Sequence, residues 1–422
     1  MAENNTVLVI GGGFSGLTAA VEAAEAEKDV VIVEKNPYLG GRVAQLNKYF
    51  WKLCPPACGL EIQFKRIKNS PRVQFYTTAQ VEDIKGEEGN FDVTIKLNPR
   101  YVNDKCVGCD ACAQACPSYR DNEFNFGMDK TKAAYLPFSQ AFPQKYVIDS
   151  SYCKGDCGKA CKDACKYDAI DLGMKPETIN IKAGAIIMAT GWNPYDAKKI
   201  DNLGFGKVRN VITNMMMERL SAPNGPTQGR IVRPSDGKEV KNIAFVQCAG
   251  SRDENHLLFC SYICCLASLK QSMYVREQYP DSKAEIFYID LRTPGLYEHR
   301  FLKKAEDDPD ITLTKGKVAG IEEDADTKDV IVEVEDIFSG SKVKKKFDMV
   351  VLAAGMEPST RMDKAVKNAS YTPEGFVETA PKGVYAIGTL KNPVDVVRSA
   401  QDATAAVIRG IQSLNKGRGG NQ

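Results

Sequence analysis

The sequence predicts an α/β protein in which two Rossmann-type dinucleotide-binding domains are combined with an inserted, cysteine-rich segment. Three observations support this fold class. A glycine-rich loop joins a strand to a helix at residues 11–16, a second strand–helix–strand pattern covers residues 241–290, and eight cysteines lie between them at residues 106–165. Strand–helix–strand units of this kind build parallel sheets, and ligands bind beyond the carboxyl ends of their strands.

The composition is that of a globular protein long enough for two or three domains. The chain has 422 residues, of which 43% are hydrophobic and 26% charged, and its net charge is +2. No basic tract suggests nucleic-acid binding, and no apolar run approaches the roughly 18 residues that cross a bilayer. Because residues 1–5 do not resemble a signal peptide, the fourteen cysteines are expected in a reduced, cytoplasmic protein that reaches a membrane only through a partner. No sequence pattern identifies a catalytic residue.

The first candidate site is the loop at residues 11–16, which follows a strand at 7–10 and precedes a helix at 17–26. In such a G-x-G-x-x-G loop the first glycine permits the tight turn, the second lets a pyrophosphate approach the backbone, and the third lets helix and strand pack closely. The helix N-terminus offers free N–H groups to the phosphates. An acidic residue after the next strand, at 30–33, is placed to bind a ribose diol. The candidate dinucleotide ligands here are Gly11, Gly13, Phe14, Ser15, Gly16, Glu34 and Lys35.

Later motifs indicate that the dinucleotide is FAD. In many flavoproteins with two dinucleotide-binding domains, a sequence such as that at residues 40–42 approaches the flavin pyrophosphate. Two strands end in the flavoprotein manner at residues 189–191 and 353–355, and residues 383–389 are similar to the closing FAD motif, with threonine in place of the usual acid. The helix that follows, from about 395 to 411, is expected to point its N-terminus toward the isoalloxazine ring. These motifs add Gly41, Arg42, Thr190, Gly191, Gly355, Gly388 and Thr389 to the candidate cofactor-binding residues.

The cysteines at residues 106–116 predict a [4Fe–4S] cluster. The run Cys106-x2-Cys109-x2-Cys112-x3-Cys116, followed by a proline, has the ligand spacing of bacterial ferredoxins. A zinc site is the alternative, but zinc sites usually separate two Cys-x2-Cys pairs widely. The segment is therefore predicted to be ferredoxin-like.

A second run has four cysteines with three residues between neighbours, and Lys166 stands where a proline would follow. This spacing departs from the ferredoxin rule. In two-cluster ferredoxins the fourth cysteine of each run serves the other cluster. Residues four apart also share one face of a helix, so a buried stripe of cysteines is the alternative to a second cluster. By the ferredoxin rule, one cluster is held by Cys106, Cys109, Cys112 and Cys165, and the other by Cys153, Cys157, Cys161 and Cys116.

The second Rossmann-type unit lacks the usual glycine-rich loop for NAD(P)H. A strand at 241–247 leads into a Cys-Ala-Gly-Ser sequence, a cysteine-bearing helix is predicted next, and a further strand covers 284–290. With one glycine, the loop has no evident cradle for the phosphates of a pyridine nucleotide. Either the cysteines here are buried and inert, or they hold a third cluster. They are Cys248, Cys260, Cys264 and Cys265, the last three being placed in the predicted helix.

These segments resemble the A-type subunits of heterodisulfide reductases. The resemblance is carried by residues 245–254, 260–265, 268–271 and 286–292 and covers nearly the whole chain. It implies an FAD protein with a thioredoxin-reductase-like core and a ferredoxin-like insertion. It also implies that Cys248, Cys260, Cys264 and Cys265 hold a cluster.

Within that family, the chain is similar to the A-type component of the quinone-interacting membrane-bound oxidoreductase (Qmo) complex of sulfate reducers. It starts at the flavin fingerprint and ends soon after the closing motif, and residues 53–61 fit that group. The resemblance implies electron transfer between a membrane quinone pool and adenylylsulfate reductase in sulfate respiration. The implied partners are a second subunit with FAD and iron–sulfur clusters, and a membrane subunit with haem and iron–sulfur clusters. Alternatives are an electron-bifurcating or NAD(P)H-linked flavoprotein of the heterodisulfide reductase type, a shorter sulfur-oxidation homologue, and a scaffold protein whose FAD is structural.

The remaining expectations concern domain limits and three local features. Cys54 and Cys58 are expected to be structural more than redox-active, and the prolines between them argue against a thioredoxin-like helix start. Arg292 is expected in an ion pair at a sheet end, and residues 344–346 in a turn. The predicted domains are an FAD-binding domain in three parts (1–98, 178–205 and 346–422), an insertion at 99–177, and a second Rossmann-like domain at 206–345.

Overall fold

The computed structural model describes residues 5–50, 53–153, 158–337, 340–364 and 366–419. The chain divides into two compact units, one comprising Met1–Trp192 and Pro358–Gln422 and the other Asn193–Glu357. The second unit is longer at both ends than the domain predicted at 206–345. The insertion belongs to the first unit.

The strands and helices are numbered in chain order. In the first unit, up to the crossing into the second, the strands are β1 (Thr6–Ile10), β2 (Asp29–Val33), β3 (Val73–Tyr76), β4 (Ala79–Glu87), β5 (Asn90–Leu97), β6 (Tyr119–Asp121), β7 (Lys130–Lys132), β8 (Ala134–Tyr135), β9 (Val147–Ile148), β10 (Glu177–Ala183), β11 (Ala185–Met188) and β12 (Trp192–Pro194). Then follow β13 (Val211–Thr213), β14 (Asn242–Ala249), β15 (Lys283–Tyr288), β16 (Ile311–Glu323), β17 (Val330–Asp336), β18 (Lys342–Phe347), β19 (Met349–Ala354), β20 (Met356–Pro358), β21 (Ser370–Tyr371), β22 (Val377–Thr379) and β23 (Val384–Ala386).

The α-helices alternate with these strands in both units. None of those in the described residues combines the length and the apolar character needed to cross a bilayer. They are α1 (Phe14–Glu25), α2 (Pro56–Asn69), α3 (Ala111–Ala115), α4 (Gly158–Asp163), α5 (Asn214–Ser221), α6 (Cys264–Gln278), α7 (Lys303–Asp307) and α8 (Val396–Gly419).

The first unit is built on a five-stranded parallel sheet in the order β23-β11-β1-β2-β3. Its central strands are continuous apolar runs whose residues are almost all buried, as expected for a parallel sheet covered on both faces. α1 packs against the sheet with its small residues, Ala19, Ala20 and Ala23, fully buried. The predicted strands at 7–10 and 30–33 are confirmed, and the predicted helix begins three residues earlier, at Phe14. The antiparallel sheet β10-β5-β4 completes the core of this unit.

Aromatic side chains attach the insertion to the loop that follows β2. The Tyr38 ring packs edge-on against Phe124 and Phe138, with centroids 5.7 and 5.3 Å away. Phe142 stacks on Phe64 of α2 with 5.0 Å between centroids. Such pairs contribute about 0.5–1.5 kcal/mol each beyond the area that they bury. The insertion is therefore packed onto the part of the unit in which the flavin motif at 40–42 lies.

Arg100 makes a second attachment at the start of the insertion. Its guanidinium donates hydrogen bonds to Tyr146 O at 2.8 Å, Pro37 O at 2.7 Å and Thr77 Oγ1 at 3.2 Å. Burial lowers the pKa of Arg100 to about 10. A buried cation of this kind is tolerated because backbone carbonyls satisfy its N–H groups.

The second unit is built on a seven-stranded sheet in the order β13-β19-β14-β15-β16-β17-β18. The neighbouring strands in the part β13-β19-β14-β15-β16 are parallel to one another. β17 and β18 extend the sheet as an antiparallel meander. The predicted strand–helix–strand unit is confirmed as β14, α6 and β15. However, α6 begins at Cys264, so Cys260 lies in the preceding loop and not in the helix as predicted.

Residues 344–346 belong to the edge strand β18, and the prediction of a turn is wrong. Their ammonium groups lie near acidic side chains, with 3.4 Å between Lys344 and Glu322 and 2.9 Å between Lys346 and Asp324. Charged side chains on an edge strand discourage pairing with other chains. Three consecutive lysines offer no apolar–polar alternation from which a strand could be predicted.

A buried ion pair joins α5 to α6. Lys270 Nζ lies 3.0 Å from Glu218 Oε1, and both side chains are only 2% exposed. Gln271 Nε2 donates to the same carboxylate at 2.7 Å, and Tyr274 Oη donates to its second oxygen at 3.5 Å. A buried pair stabilises a fold little compared with apolar residues, but removing one partner leaves a buried charge uncompensated.

Lys270→Met is expected to destabilise the second unit by about 3–5 kcal/mol, because the Glu218 carboxylate loses its counter-ion in a buried position. The measurement is urea unfolding followed by circular dichroism, at matched cofactor content. Lys303→Met is the control, since Lys303 pairs with Asp307 on the exposed surface of α7. Equal stability of the two variants would contradict the prediction, whereas adding Glu218→Gln should recover part of the loss.

Candidate cofactor and cluster sites

The glycine-rich loop has the close backbone contacts that the sequence predicts. A Cβ on Gly16 would lie 1.9 Å from Gly11 O, and a Cβ on Gly11 would lie 2.4 Å from Ala189 O. Gly11 also has a φ of +107°, which disfavours other residues. Only glycine therefore fits at either position. α1 starts directly after Gly13, so its first N–H groups lie at this loop.

Gly13 faces the loop at residues 40–42. Gly40 N donates to Gly12 O at 2.8 Å, and a Cβ on Gly41 would lie 2.8 Å from Gly13 Cα. By contrast, the nearest described atom to a Cβ on Gly13 would be Gly41 Cα, at 3.8 Å. The protein thus leaves room for an extra carbon at Gly13, which is where a pyrophosphate is expected to approach.

The Glu34 carboxylate holds this loop in place. Its Oε2 accepts a hydrogen bond from Gly12 N at 2.7 Å, and its Oε1 accepts from Asn36 N and Nδ2, each at 2.8 Å. Burial raises the pKa of Glu34 above its ordinary value. A carboxylate has about four acceptor positions, so the predicted bond to a ribose hydroxyl is compatible with these contacts. Lys35, the next candidate, is exposed.

The other predicted flavin motifs of the first unit meet the same loop. Gly388 has a φ of +61°, and a Cβ on it would lie 2.7 Å from Ser15 Oγ. Thr190 Oγ1 accepts a hydrogen bond from Ser359 Oγ at 2.7 Å, and Gly191 O accepts from Ser359 N at 3.0 Å. Thr389 lies half-buried in the 3-10 turn Gly388–Leu390, ahead of α8. The fingerprint and the closing motif therefore form one site.

Three further candidates differ in their surroundings. Arg42 Nε donates to Trp192 O at 3.2 Å, and burial lowers the pKa of its guanidinium. Phe14 packs against the apolar core of the first unit. Gly355 belongs to the second unit, where a Cβ on it would lie 2.6 Å from Ser251 Oγ. The structure thus places Gly355 beside the cysteine-bearing loop, and its contact with a flavin stays a prediction.

The insertion brings its two cysteine runs into one core. Cys112 on α3 and Cys161 on α4 are buried where these short helices pack together. Burial, with smaller contributions from the nearby thiols of Cys106, Cys161 and Cys109, raises the pKa of Cys112 to about 12. Backbone pairing between residues 102 and 170 joins the two ends of the segment. The two runs therefore meet although they are some forty residues apart.

The remaining cysteines of the insertion surround that core. Cys116 is buried in it, and Cys106, Cys153 and Cys165 pack against it half-buried. Ala169 N donates a hydrogen bond to Cys165 Sγ at 3.4 Å. Cys109 is exposed, and Cys157 lies outside the described residues. The assignment of these thiols to one or two clusters stays a prediction.

The cysteine-bearing loop of the second unit has a strained backbone. Cys248 lies in the bulge of β14 and has a φ of +56°, and Arg252 and Tyr262 have φ values of +57° and +65°. Gly250, at +76°, has no room for a Cβ, which would lie 2.6 Å from the Tyr195 ring. Left-handed conformations are unfavourable for residues with side chains and concentrate at functional sites.

This loop brings four thiols together. Burial raises the pKa of Cys264 well above its ordinary value, and the thiols of Cys248, Cys265 and Cys260 raise it further. Burial likewise raises the pKa of Cys265 to about 11, with smaller contributions from Cys248 and Cys260. Cys264 and Cys265 open α6, and Tyr262 N donates to Cys260 Sγ at 3.3 Å. The predicted set of cysteines is therefore assembled at one place.

The chemistry of this set fits an iron–sulfur cluster. Cysteine thiolates are the usual ligands of iron–sulfur clusters, and ligation displaces the thiol protons. The backbone N–H of Tyr262 already donates to one of these sulfurs. Among the described residues, no three or more His, Cys, Asp or Glu side chains are arranged as ligands of a single metal ion.

Arg252 and Arg292 flank the cysteines. Arg292 Nε lies 3.0 Å from Asp290 Oδ2, just beyond β15, which confirms the ion pair expected at the sheet end. Arg252 pairs with the same carboxylate. Arg252 also favours the thiolate form of Cys248, although burial is the larger effect and raises the pKa of that thiol.

Cys54 and Cys58 lie at the start of α2, and the argument from the prolines against a thioredoxin-like helix start is wrong, since a helix begins between the two cysteines. α2 begins at Pro56, with Pro55 at its N-cap. Proline is favoured in the first turn, where its missing N–H would have no partner in any case. Cys58 is exposed and Cys54 is half-buried.

Several buried polar residues near the cysteines of the second unit are not predicted from the sequence. These are Glu218, Gln247, Ser268 and Lys270, all of which are buried. A lysine or a glutamate inside a helix is ordinarily a surface residue, and the ion pair between Lys270 and Glu218 joins elements that are distant in sequence. The polar residues that follow Cys265 in an otherwise apolar helix are the signal that could have found them.

Comparison with known proteins agrees with this architecture. Residues 6–56 match the family described as FAD dependent oxidoreductase, and residues 99–119 match the 4Fe-4S binding domain. The thioredoxin reductase of Lactococcus lactis aligns with 98% of this chain and 99% of its own, at a TM-score of 0.53 and 12% identity. That of T. acidophilum aligns with 97% and 98%, at 0.52 and 15%. The fold is thus that of a thioredoxin-reductase-like FAD oxidoreductase with an added iron–sulfur motif, and the predicted fold class is confirmed.

The sequence relatives are more specific. The chain is 39% identical to the second iron-sulfur A-type subunit of the CoB–CoM heterodisulfide reductase of Methanopyrus kandleri, over 97% of this chain and 64% of the relative. It is 38% identical to the A-type subunit of the ferredoxin/F(420)H(2)-dependent CoB-CoM heterodisulfide reductase of Methanosarcina acetivorans, over 98% and 54%. Over nearly its whole length the chain is similar to the A-type subunits of heterodisulfide reductases, the resemblance that its motifs predict. It spans between 54% and 64% of the length of these two relatives.

Gly13→Ala is expected to remove most of the FAD while the first unit stays folded. Gly13 has an extended backbone that alanine adopts without strain, and its Cβ would come no closer than 3.8 Å to described atoms, but it would occupy the space needed by the pyrophosphate. The measurement is FAD per protein, with circular dichroism as the test of folding. Gly410→Ala in α8 is the control, because its Cβ would make an ordinary 3.6 Å contact with Ala185. A Gly13→Ala protein with full FAD would contradict the assignment.

Proposed function

We propose that this chain is the FAD- and iron–sulfur-containing electron-transfer subunit of a heterodisulfide-reductase-like complex. One observation carries the proposal. Four thiols converge where a Rossmann unit would otherwise bind the phosphates of a pyridine nucleotide, between the end of β14 and the start of α6. A protein that replaces its nucleotide loop by cluster ligands is suited to exchange electrons with other proteins.

The local structure argues against NAD(P)H at this loop. A phosphate-binding turn needs glycines at which the backbone is open to the ligand, and here Gly250 is covered by the Tyr195 ring. The first turn of α6 carries the buried side chains of Cys264 and Cys265. These sulfurs occupy the end of the helix to which a pyrophosphate would bind.

The residues of the chain hold the proposed cofactors and shield them from water. When bound, FAD exchanges electrons in pairs or singly, and iron–sulfur clusters carry one electron at a time. In the first unit Gly11, Gly13 and Glu34 would hold the dinucleotide. In the second unit the buried thiol of Cys264 would hold the cluster away from solvent. Exclusion of solvent favours retention of the cluster and helps to set its reduction potential.

We further propose that the complex moves electrons between a membrane quinone pool and adenylylsulfate reductase. A second subunit with FAD and iron–sulfur clusters, and a membrane subunit with haem and iron–sulfur clusters, would complete it. Residues 53–61 and the overall sequence resemblance support this assignment. The relatives are named as reductases of the CoB–CoM heterodisulfide. The quinone-linked role is therefore our proposal for this chain and is not taken from their names.

Cys264→Ser is expected to lose one cluster, about four iron atoms, and to keep its FAD, because the mutated thiol lies in the second unit and the fingerprint in the first. The measurement is iron per flavin in protein purified without oxygen. Three clusters would give about twelve iron atoms per FAD in the unmodified chain. Cys58→Ser is the control and should keep all its iron. Unchanged iron in Cys264→Ser would remove the cluster from this loop.

Anaerobic mixing of the purified chain with NADH or NADPH is expected to leave the flavin absorbance unchanged, because the loop after β14 lacks the glycines that cradle their phosphates. Dithionite should bleach the flavin in the same apparatus and serves as the control for its redox competence. The intact complex serves as the positive control, because a quinol should reduce the flavin of the chain there through the membrane partner. Rapid bleaching by NADH would favour the NAD(P)H-linked alternative.

A further inference from the structure

Two buried polar side chains near the second-unit cysteines have hydrogen-bonding atoms without a partner. In the part of the chain that the structure describes, Gln247 Nε2 and Oε1 and Ser268 Oγ make no hydrogen bond. Gln247 is 6% exposed and Ser268 is fully buried. Buried polar atoms almost always have a partner, so these atoms point to a group that binds them.

Both residues lie close to the cysteines along the chain. Gln247 immediately precedes Cys248 in the bulged end of β14. Ser268 lies four residues after Cys264 and three after Cys265 in α6. Residues at these spacings share one face of a helix. Helical side chains also lean toward the N-terminus of their helix, which directs the Ser268 hydroxyl toward the turn that carries the two cysteines.

Two other buried serines show that the unpartnered hydroxyl of Ser268 is unusual. Ser272, one turn further along α6, is also fully buried, but its Oγ donates to Leu269 O at 2.8 Å. Ser221 in α5 does the same with Met217 O at 2.9 Å. A serine in a helix commonly satisfies its hydroxyl by such a bond to the preceding turn. The Ser268 hydroxyl makes no such bond among the described residues.

Whether the unpartnered atoms donate or accept hydrogen bonds indicates what kind of group binds them. Gln271 also has an unpartnered atom, Oε1, but that atom only accepts, and its Nε2 already donates to Asn214 O and to Glu218. Gln247 Nε2 and Ser268 Oγ are donors. The thiolate and sulfide sulfurs of an iron–sulfur cluster are acceptors.

We infer that Gln247 and Ser268 donate hydrogen bonds to the sulfur atoms of the cluster held by Cys248, Cys260, Cys264 and Cys265, and thereby raise its reduction potential. The inference rests on the cluster assignment under the proposed function. Both residues are positioning residues that act through the sulfurs. Hydrogen bonds to cluster sulfurs are among the factors that set the potential.

The direction follows from the charge of the cluster. Reduction adds one negative charge, which is spread over the sulfurs, and a hydrogen bond to a more negative acceptor is stronger. Each donor therefore stabilises the reduced state more than the oxidised state. The buried setting of α6 increases the effect, because electrostatic interactions are less screened in a low dielectric.

The test uses Gln247→Leu and Ser268→Ala in the full chain with its cofactors. Iron content and circular dichroism establish that the cluster and the fold are retained, and a redox titration followed by electron paramagnetic resonance gives the midpoint potential. Each variant is expected to have a more negative midpoint, by about ten-fold in the equilibrium constant for reduction, which is 59 mV for one electron. Ser272→Ala is the matched control and should keep the original midpoint.

Two conservative variants separate hydrogen bonding from packing. Ser268→Thr keeps the hydroxyl and should retain the original midpoint. Gln247→Met keeps a similar side-chain length without the donor nitrogen and without a new charge, and should lower the midpoint. Unchanged midpoints in cluster-loaded Gln247→Leu and Ser268→Ala would overturn the inference, as would an equal shift in Ser272→Ala. If Ser268→Ala does not take up iron, the midpoint of Gln247→Met decides: a value below that of the unmodified chain supports the inference, and an unchanged value overturns it. If Cys264→Ser keeps all its iron, it is the cluster assignment that fails.

Discussion

The contact between α1 and β1 is the constraint on which the first unit depends. Gly16 and Gly11 bring helix and strand so close that one additional carbon would overlap a carbonyl oxygen. Because α1 starts at that point, its free N–H groups lie next to the carboxyl end of β1. The later motifs then converge on a fixed point: Gly41 abuts Gly13, and Gly388 approaches Ser15. Segments far apart in sequence become one site because each of them is fitted to this loop.

The second unit keeps the same strand–helix–strand architecture and uses its loop differently. Here the backbone is bent by residues with side chains, Cys248, Arg252 and Tyr262, in left-handed conformations that glycine would adopt without cost. The strain is retained because the bend brings Cys248 to the cysteines that open α6. A loop optimised for phosphate leaves backbone open to the ligand, whereas this loop covers its backbone and offers sulfur. The same topology therefore supports two kinds of site.

Most of the fold and much of the candidate site can be predicted from the sequence, because glycine spacing, cysteine spacing and apolar strands are local signals. The start of α2 at Pro56 is harder to predict, since proline disrupts a helix interior but is tolerated in the first turn. The start of α6 after Cys260 is equally hard, because no capping side chain marks it. The Glu218–Lys270 pair cannot be predicted, since its members are on different helices and each has the character of a surface residue. Gly355 carries a flavoprotein-like motif but lies by the cysteine loop, and only tertiary structure reveals that.

The polar residues that follow the two cysteines in α6 are best explained by their electrostatic effect on that site. Most of this helix is buried, yet it carries Lys270, Gln271 and Ser272, each with a hydrogen-bond or ion-pair partner in the protein. Apolar residues at those positions would give a more stable core, so stability does not explain the polar ones. Under the proposed cluster assignment, a helix that begins with two of the ligands must accommodate a charge that changes by one unit, and fixed dipoles around it determine how easily that happens. By this argument, the unpartnered donor at Ser268 belongs to the electrostatic environment of the cysteines more than to the packing of the core.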